Sequence, residues 1–433
     1  MRKTISLLLS VLALAGLHAQ TLDECQQAAM SNYPLIRRYD LIAQTADLTL
    51  QNLQTGWLPQ LSVSAQATWQ NRVVTLPDGM RQMLSQQGQE VKGLQKEQYR
   101  VGVDVQQTVY DGGAISLQRD VARRQADVDA AQNETELYQV AGRVNELYFG
   151  LLLIDDQIKL NTDLQTLLQS NEDKLSSMFR KGVAAESDYL SVKAERLHAA
   201  QQLVVLQSQR RAVGQSLALL CGWEQVNPVK PDQPAAEASS PTVVERPELK
   251  LFAMQEQLAD ARERMLDAQL RPRLSLFATG YYGYPGYDMY HDMFHRDLSF
   301  NAMIGARVQW NVGALYTRKS DKQRLEMQRQ TIGVQRETFL FNNRLQWTQE
   351  NEDIRRAEEL MASDDEIIRL RQSVRQAAES KLAHGIIEIS DLIKEINNEN
   401  TARTQKSIHS IEWLKAVYDR KYTMGRMNRR ESQ

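Results

Sequence analysis

The stretch from Ala114 to Lys181 contains no proline and only two glycines, Gly142 and Gly150. Its apolar residues recur in steps of three and four: Leu137, Val140, Ala141, Val144, Leu147, Tyr148, Leu151 and Leu152, then Leu164, Leu167, Leu168, Leu175, Met178 and Phe179. Such steps place them on one stripe of a helix. At the usual rise a helix of this length runs ~100 Å. Nothing that long fits inside a small core, so it must pack lengthwise against other long helices. Gly182 ends it, where a left-handed cap costs least. A second such rod runs from Ala314 to His384 and stops at Gly385. Two rods of this kind point to a conduit or scaffold rather than a compact enzyme.

The N-terminus reads as an export signal. Arg2 and Lys3 give the positive end, Ile5 to Leu17 the apolar centre, and Leu17-His18-Ala19 a small-residue cleavage site, making residues 1–19 a signal peptide. That apolar run is too short to span a bilayer as a helix. The context of Cys25 does not resemble a lipoprotein processing site, so an unacylated mature N-terminus is expected. A formal net charge of -2 gives no electrostatic ground for nucleic-acid binding.

Between the helices lie period-two segments. A first helix from Thr21 to Gly56, kinked or restarted at Pro34, leads to Leu61–Trp69, in which Leu61, Val63, Ala65, Ala67 and Trp69 alternate with polar residues. Tyr99 to Val109 alternates likewise after a long Gln-rich loop. The turn Tyr110-Asp111-Gly112-Gly113 then opens the first rod. A helix from about Glu186 to Leu220 follows the rod, and a proline-rich stretch at 223–246 reads as a linker. The order then repeats: a helix from Pro247 to Leu270, a less clean strand at Leu274–Tyr282, a clean one at Leu298–Trp310, the second rod, and a helix from Ser390 to Tyr422. The basic residues 423–433 read as a loose tail.

The chain is a duplication. Pro59-Gln60-Leu61-Ser62 matches Pro272-Arg273-Leu274-Ser275, and Tyr110 through Ala114 matches Trp310 through Ala314. The spacing from Gly182 to Asp188 equals that from Gly385 to Asp391. The first repeat covers 20–222 and the second 247–422. Each rod matches, in length, the two shorter helices of its repeat laid end to end. Four strands of about ten residues with one apolar face suit a tilted membrane strand. Lipid forbids open sheet edges, and four strands cannot close a barrel. The fold class expected is an α+β membrane protein: a long α-helical coiled-coil barrel joined to a trimeric twelve-stranded transmembrane β-barrel, four strands per chain. The competing reading is a soluble periplasmic coiled-coil scaffold without a pore, its sheet face buried on protein.

With this order of motifs the mature chain resembles the outer-membrane efflux proteins, the TolC-like trimeric channel-tunnels. The resemblance rests on the duplication, on Pro59 and Pro272 opening the strands, on the turns at Gly113 and Gly313, and on the tip motifs. The tips are Phe179-Arg180-Lys181-Gly182-Val183 through Asp188, and Lys381-Leu382-Ala383-His384-Gly385-Ile386 through Asp391. It implies a passive homotrimeric duct, set in outer-membrane lipid of a Gram-negative-type cell with a large periplasmic portion. It also implies work in a tripartite efflux or type I secretion system, with a periplasmic adaptor docking at the tips and an inner-membrane pump.

Gly182 and Gly385 allow tight reversals, and Val183, Ile386 and Ile387 would expose apolar surface to the adaptor. In a trimer Asp188 and Asp391 become rings of three carboxylates near the closed end, a periplasmic gate. The family pattern places the position of Asp391 in an acidic constriction; three residues on, where many relatives carry a second acid, this chain has Lys394, which argues against strong cation selectivity. The end-to-end packing brings Cys25 and Cys221 together, compatible with a disulfide or with two buried thiols. No catalytic, cofactor or metal constellation stands out. His291 and His295 have metal-compatible spacing but lie in an expected exposed loop, and Tyr281, Tyr282, Tyr284, Tyr287 and Tyr290 are expected at the membrane interface.

Overall fold

A computed structural model describes residues 20–230 and 244–426. The predicted signal peptide, most of the linker and the last residues of the tail lie outside that range.

The first repeat opens with helix α1 (Leu22–Asn32). Thr21 and Glu24 close a reciprocal cap at its start, the Thr21 N–H donating to Glu24 Oε2 (2.9 Å) and the Glu24 N–H to Thr21 Oγ1 (3.3 Å). Pro34 lacks an N–H and restricts the residue before it, so the chain passes through a 3₁₀ turn (Pro34–Arg37) before α2 (Arg38–Gln54). Strand β1 (Gln60–Trp69), helix α3 (Asp78–Gln86), strand β2 (Glu97–Tyr110), the rod α4 (Ala114–Arg180) and helix α5 (Glu186–Cys221) complete the repeat. The second repeat holds α6 (Pro247–Gln269), β3 (Arg273–Tyr284), α7 (Met289–His295), β4 (Ser299–Gln309), the rod α8 (Ala314–Ala383) and α9 (Ile389–Met424). Both rods end within one or two residues of the expected positions. Two short helices, α3 and α7, occupy segments expected as loop; each is too short to show a clear helical period. The final helix runs through Met424, with Thr423 and Met424 buried, so the tail begins later than residue 423. The linker is also shorter than expected. Val226 is buried, the Gln20 N–H donates to the Asn227 carbonyl (3.0 Å), and the Tyr148 hydroxyl donates to the Val229 carbonyl (2.6 Å).

The described residues divide into two compact units that do not follow the repeats: 20–39, 130–230, 244–252 and 334–426 in one, Asp40–Asp129 and Ala253–Gly333 in the other. Each draws on both repeats, and each rod contributes to both.

The first unit is helical. Its larger core gathers Leu22, Cys25 and Ala29 of α1, Val144, Tyr148 and Leu151 of α4, Leu217 and Cys221 of α5, Ile354 of α8, and Leu414 and Val417 of α9. Its smaller core joins Leu168 and Leu175 of α4 to Val192 of α5, Ala378 of α8, and Leu392 and Ile396 of α9. Burial of each large side chain contributes about 1.5–3 kcal/mol before chain entropy is set against it. The duplication also reaches the polar contacts. The shift that carries Gly182 onto Gly385 carries Arg210–Asp155 (2.5 Å) onto Trp413–Glu358 (3.0 Å). It also carries Arg196–Glu172 (2.7 Å) onto Arg375–Glu399 (2.5 Å), with the charges exchanged.

The second unit contains one antiparallel sheet in the order β1-β2-β3-β4. The Asp111 carboxylate caps α4 there, accepting from the Gly113 N–H (2.8 Å) and the Ile115 N–H (2.6 Å).

Candidate functional site: a two-faced sheet and two helical tips

The strand register makes one apolar surface from four alternating sequences. Val63 lies opposite Val103, Val103 opposite Gly280, and Gly280 opposite Ala302. The neighbouring row is Leu61, Val105, Ala278 and Ile304; on the other side run Ala65, Val101, Tyr282 and Phe300. Side chains along a strand alternate faces, so these rows share one side of the sheet. Ile304 is 84% exposed, Phe300 74% and Val63 72%, so none of the described residues covers that face.

The other face is polar. Ser62, Asp104, Thr279 and Met303 form one row, with the Thr279 hydroxyl donating to Asp104 Oδ1 (2.7 Å). Two aromatics stand on this face, which is why the third strand alternates poorly in sequence. Phe277 covers Gly305 and Tyr281 covers Gly102; a Cβ on either glycine would fall within 3 Å of the ring-bearing residue. Arg307 lies over Phe277 (5.0 Å) and Arg100 over Tyr281 (5.9 Å). The expected tyrosine belt therefore splits. Tyr282 stands exposed on the apolar face, Tyr281 packs on Tyr287 on the polar side, and Tyr284 is buried with Leu94 and Met293 between the two strand-connecting segments. His291 and His295 lie on α7 rather than in a loop, their rings stacked at 4.3 Å. The outer edges of β1 and β4 have no pairing strand among the described residues.

Both tips have the same build. Gly182 and Gly385 adopt φ of +73° and +71°, a region costly for side chains with a Cβ. The next residue folds back on the rod, Val183 N–H donating to the Met178 carbonyl and Ile386 N–H to the Lys381 carbonyl, each at 2.9 Å. Val183 is 70% exposed and Ile386 68%. Ile387 departs from expectation: it is half-buried against the smaller core, because the chain is already turning into α9 there. Asp188 lies in the first turn of α5, its carboxylate accepting from the Ala185 N–H (3.3 Å). Asp391 and Lys394 are both exposed in the first turns of α9. Above them Glu399 is buried between Arg375 and Arg403. Burial pushes its carboxyl up, but the two guanidiniums outweigh this and hold it below the usual range.

A further feature emerges only once the helices are folded. Leu190, Leu197 and Val204 on α5, and Leu360, Ile367 and Val374 on α8, are exposed large side chains at seven-residue intervals. That period marks a helix-packing seam. It was present in the sequence but masked by the denser stripes that build the cores.

Cys25 and Cys221 lie together in this core, buried and unbridged in the structure, with Cys221 Sγ 3.5 Å from the Cys25 carbonyl oxygen. The hydrogen bond with Cys221 and burial together hold the Cys25 thiol far above its ordinary range.

Residues 26–223 match the family model described as outer membrane efflux protein. Comparison with curated proteins gives no match. Among solved structures the chain is similar to the outer-membrane channel OprN, at 15% identity and a TM-score of 0.67, covering 94% of this chain and 90% of that one. It is similar to the CmeC outer membrane channel of Campylobacter jejuni at 12% identity and a TM-score of 0.66, over 95% of this chain and 87% of that one. The outer membrane protein VceC of Vibrio cholerae aligns at 12% identity and a TM-score of 0.66, over 93% of this chain and 96% of that one. At such identities these likenesses establish the fold.

Proposed function

We propose that this chain, whose residues 26–223 match the outer membrane efflux protein family, works as one third of a trimeric outer-membrane channel. The carrying observation is the sheet: a continuous apolar face on four strands that no described residue covers, with two outer edges unpaired among the described residues. In water such a face would be an aggregation hazard; in lipid it is the required surface. Free edges are not tolerated in hydrocarbon, and about eight strands are the practical minimum for a barrel. Three copies supply twelve strands and pair every edge, leaving the Asp104–Thr279 face towards a wet lumen. The exposed heptad seams on α5 and α8 supply matching helical surfaces for the same assembly, since each can lie against the other on the next copy. The rival soluble scaffold needs its sheet face buried on protein, and none of the described residues covers that face.

The duct itself performs no chemistry in this reading; energy comes from an inner-membrane pump, coupled through a periplasmic adaptor. Val183 and Ile386 at the two tips offer that adaptor a small apolar footing. Asp188 and Asp391 face inward near the closed end as carboxylate rings, and Lys394 one turn from Asp391 offsets its charge. Unchanged ion selectivity in Asp391→Ala channels would remove Asp391 from the gate.

The membrane assignment is tested by placing one charge on each face of the sheet. Arginine at mid-membrane on a lipid face costs about 2–4 kcal/mol, whereas a lumen position tolerates it. Ile304→Arg is expected to abolish outer-membrane trimer, and Ser62→Arg to preserve it. Equal yields from the two variants would contradict the assignment of faces.

A further inference from the structure

The two cysteines are the only ones in the chain, and the fold brings them into one core from positions nearly two hundred residues apart in sequence. Cys25 sits in the first turn of α1 and Cys221 is the last residue of α5. Their exposures are 0% and 4%. The backbone around them is fixed. The Asn32 side-chain amide donates to the Leu219 and Leu220 carbonyls (3.2 and 3.1 Å), tying the end of α1 to the end of α5. Gly222 then turns the chain in a left-handed conformation, packed so closely on Asn32 that a Cβ would lie 2.6 Å from its Oδ1. Leu22, Ala29, Leu217 and Ala218 belong to the same buried cluster, and neither cysteine is open to water.

We propose that in the mature protein Cys25 and Cys221 are joined by a disulfide that staples the N-terminal helix to the last turn of α5. The proposal rests on the outer-membrane reading, because an exported chain folds where thiols are oxidised. The oxidant is a protein disulfide of the cell envelope. One cysteine thiolate attacks a sulfur of that disulfide and forms a mixed disulfide, releasing the oxidant's other sulfur as a thiol. The second cysteine then attacks the protein-side sulfur, and the oxidant leaves as a dithiol. Two electrons and two protons pass from the cysteine pair to the oxidant. The step belongs to folding, before α1 closes over α5, since the finished core admits no second protein. Closing so long a loop constrains the unfolded chain strongly.

The experiment uses the full-length protein, purified in mild detergent from an outer-membrane fraction of cells quenched with an alkylating agent. The protein is unfolded, alkylated again without reductant, and its intact mass measured; a parallel sample is reduced first. A disulfide predicts no added alkyl groups without reductant and two after reduction. It also predicts that reductant lowers the thermal midpoint of the wild type by several degrees and leaves that of the double variant Cys25→Ser, Cys221→Ser unchanged. Two alkyl groups on the unreduced protein would overturn the disulfide while leaving the channel reading intact. Absence of the protein from the outer-membrane fraction would instead overturn the reading on which the proposal rests.

Discussion

Glu350 shows how one side chain records its packing. It lies on α8, 7% exposed, with Oε1 accepting from the Thr423 hydroxyl (2.7 Å) and the Gln346 amide (3.0 Å) while Oε2 has no hydrogen-bond partner among the described residues. Asn343 donates to the Thr423 carbonyl (2.7 Å), so the same patch fastens the end of α9 to the rod. Burial pushes the Glu350 carboxyl up to about 7, with Asp419 adding to the rise and Lys415 opposing it. A carboxyl raised in the folded state holds its proton more tightly folded than unfolded. Its contribution is therefore intact at low pH and is lost as pH rises from the ordinary carboxylate range through about 7. The loss is at most about 3 kcal/mol. Glu350→Gln should flatten this part of the stability profile and raise the unfolding midpoint at pH 8 relative to wild type. Thermal unfolding in detergent between pH 5 and pH 8 checks it; parallel profiles for the two proteins would contradict the assignment.

At the scale of elements, the tips carry the most specific expectation. Replacing Gly182 and Gly385 by tryptophan puts a bulky side chain at the two exposed reversals and forces a side chain into the left-handed region. Adaptor cross-linking at the tips should fall about tenfold or more while trimer yield is retained; unchanged cross-linking would rule out the tips as the docking site. The elements also show how far the sequence could be read. Rods, strands and tip reversals were legible because each signal is local: a helical period without proline, a period of two, a glycine after the last turn. The pairing of Phe277 with Gly305 and of Tyr281 with Gly102 was not, because it joins residues on different strands and looks, along one strand, like broken alternation. Ile387 looked exposed beside Ile386 for a similar reason. Only the turn into α9 decides which of two adjacent isoleucines joins the core. The reversed ion pair Arg375–Glu399 keeps the geometry of Arg196–Glu172 while hiding the repeat from residue-by-residue matching.

For the whole molecule, the duplication explains why the chain carries four strands and two tips. In the proposed channel the exposed sheet face meets lipid and the exposed seams on α5 and α8 meet a neighbouring copy. The proposed closed trimer would satisfy both surfaces. The direct test is the native mass of the mature protein extracted from membranes in mild detergent, corrected for bound detergent. A stable trimer is predicted. A monomer recovered from the soluble fraction would contradict the shared barrel.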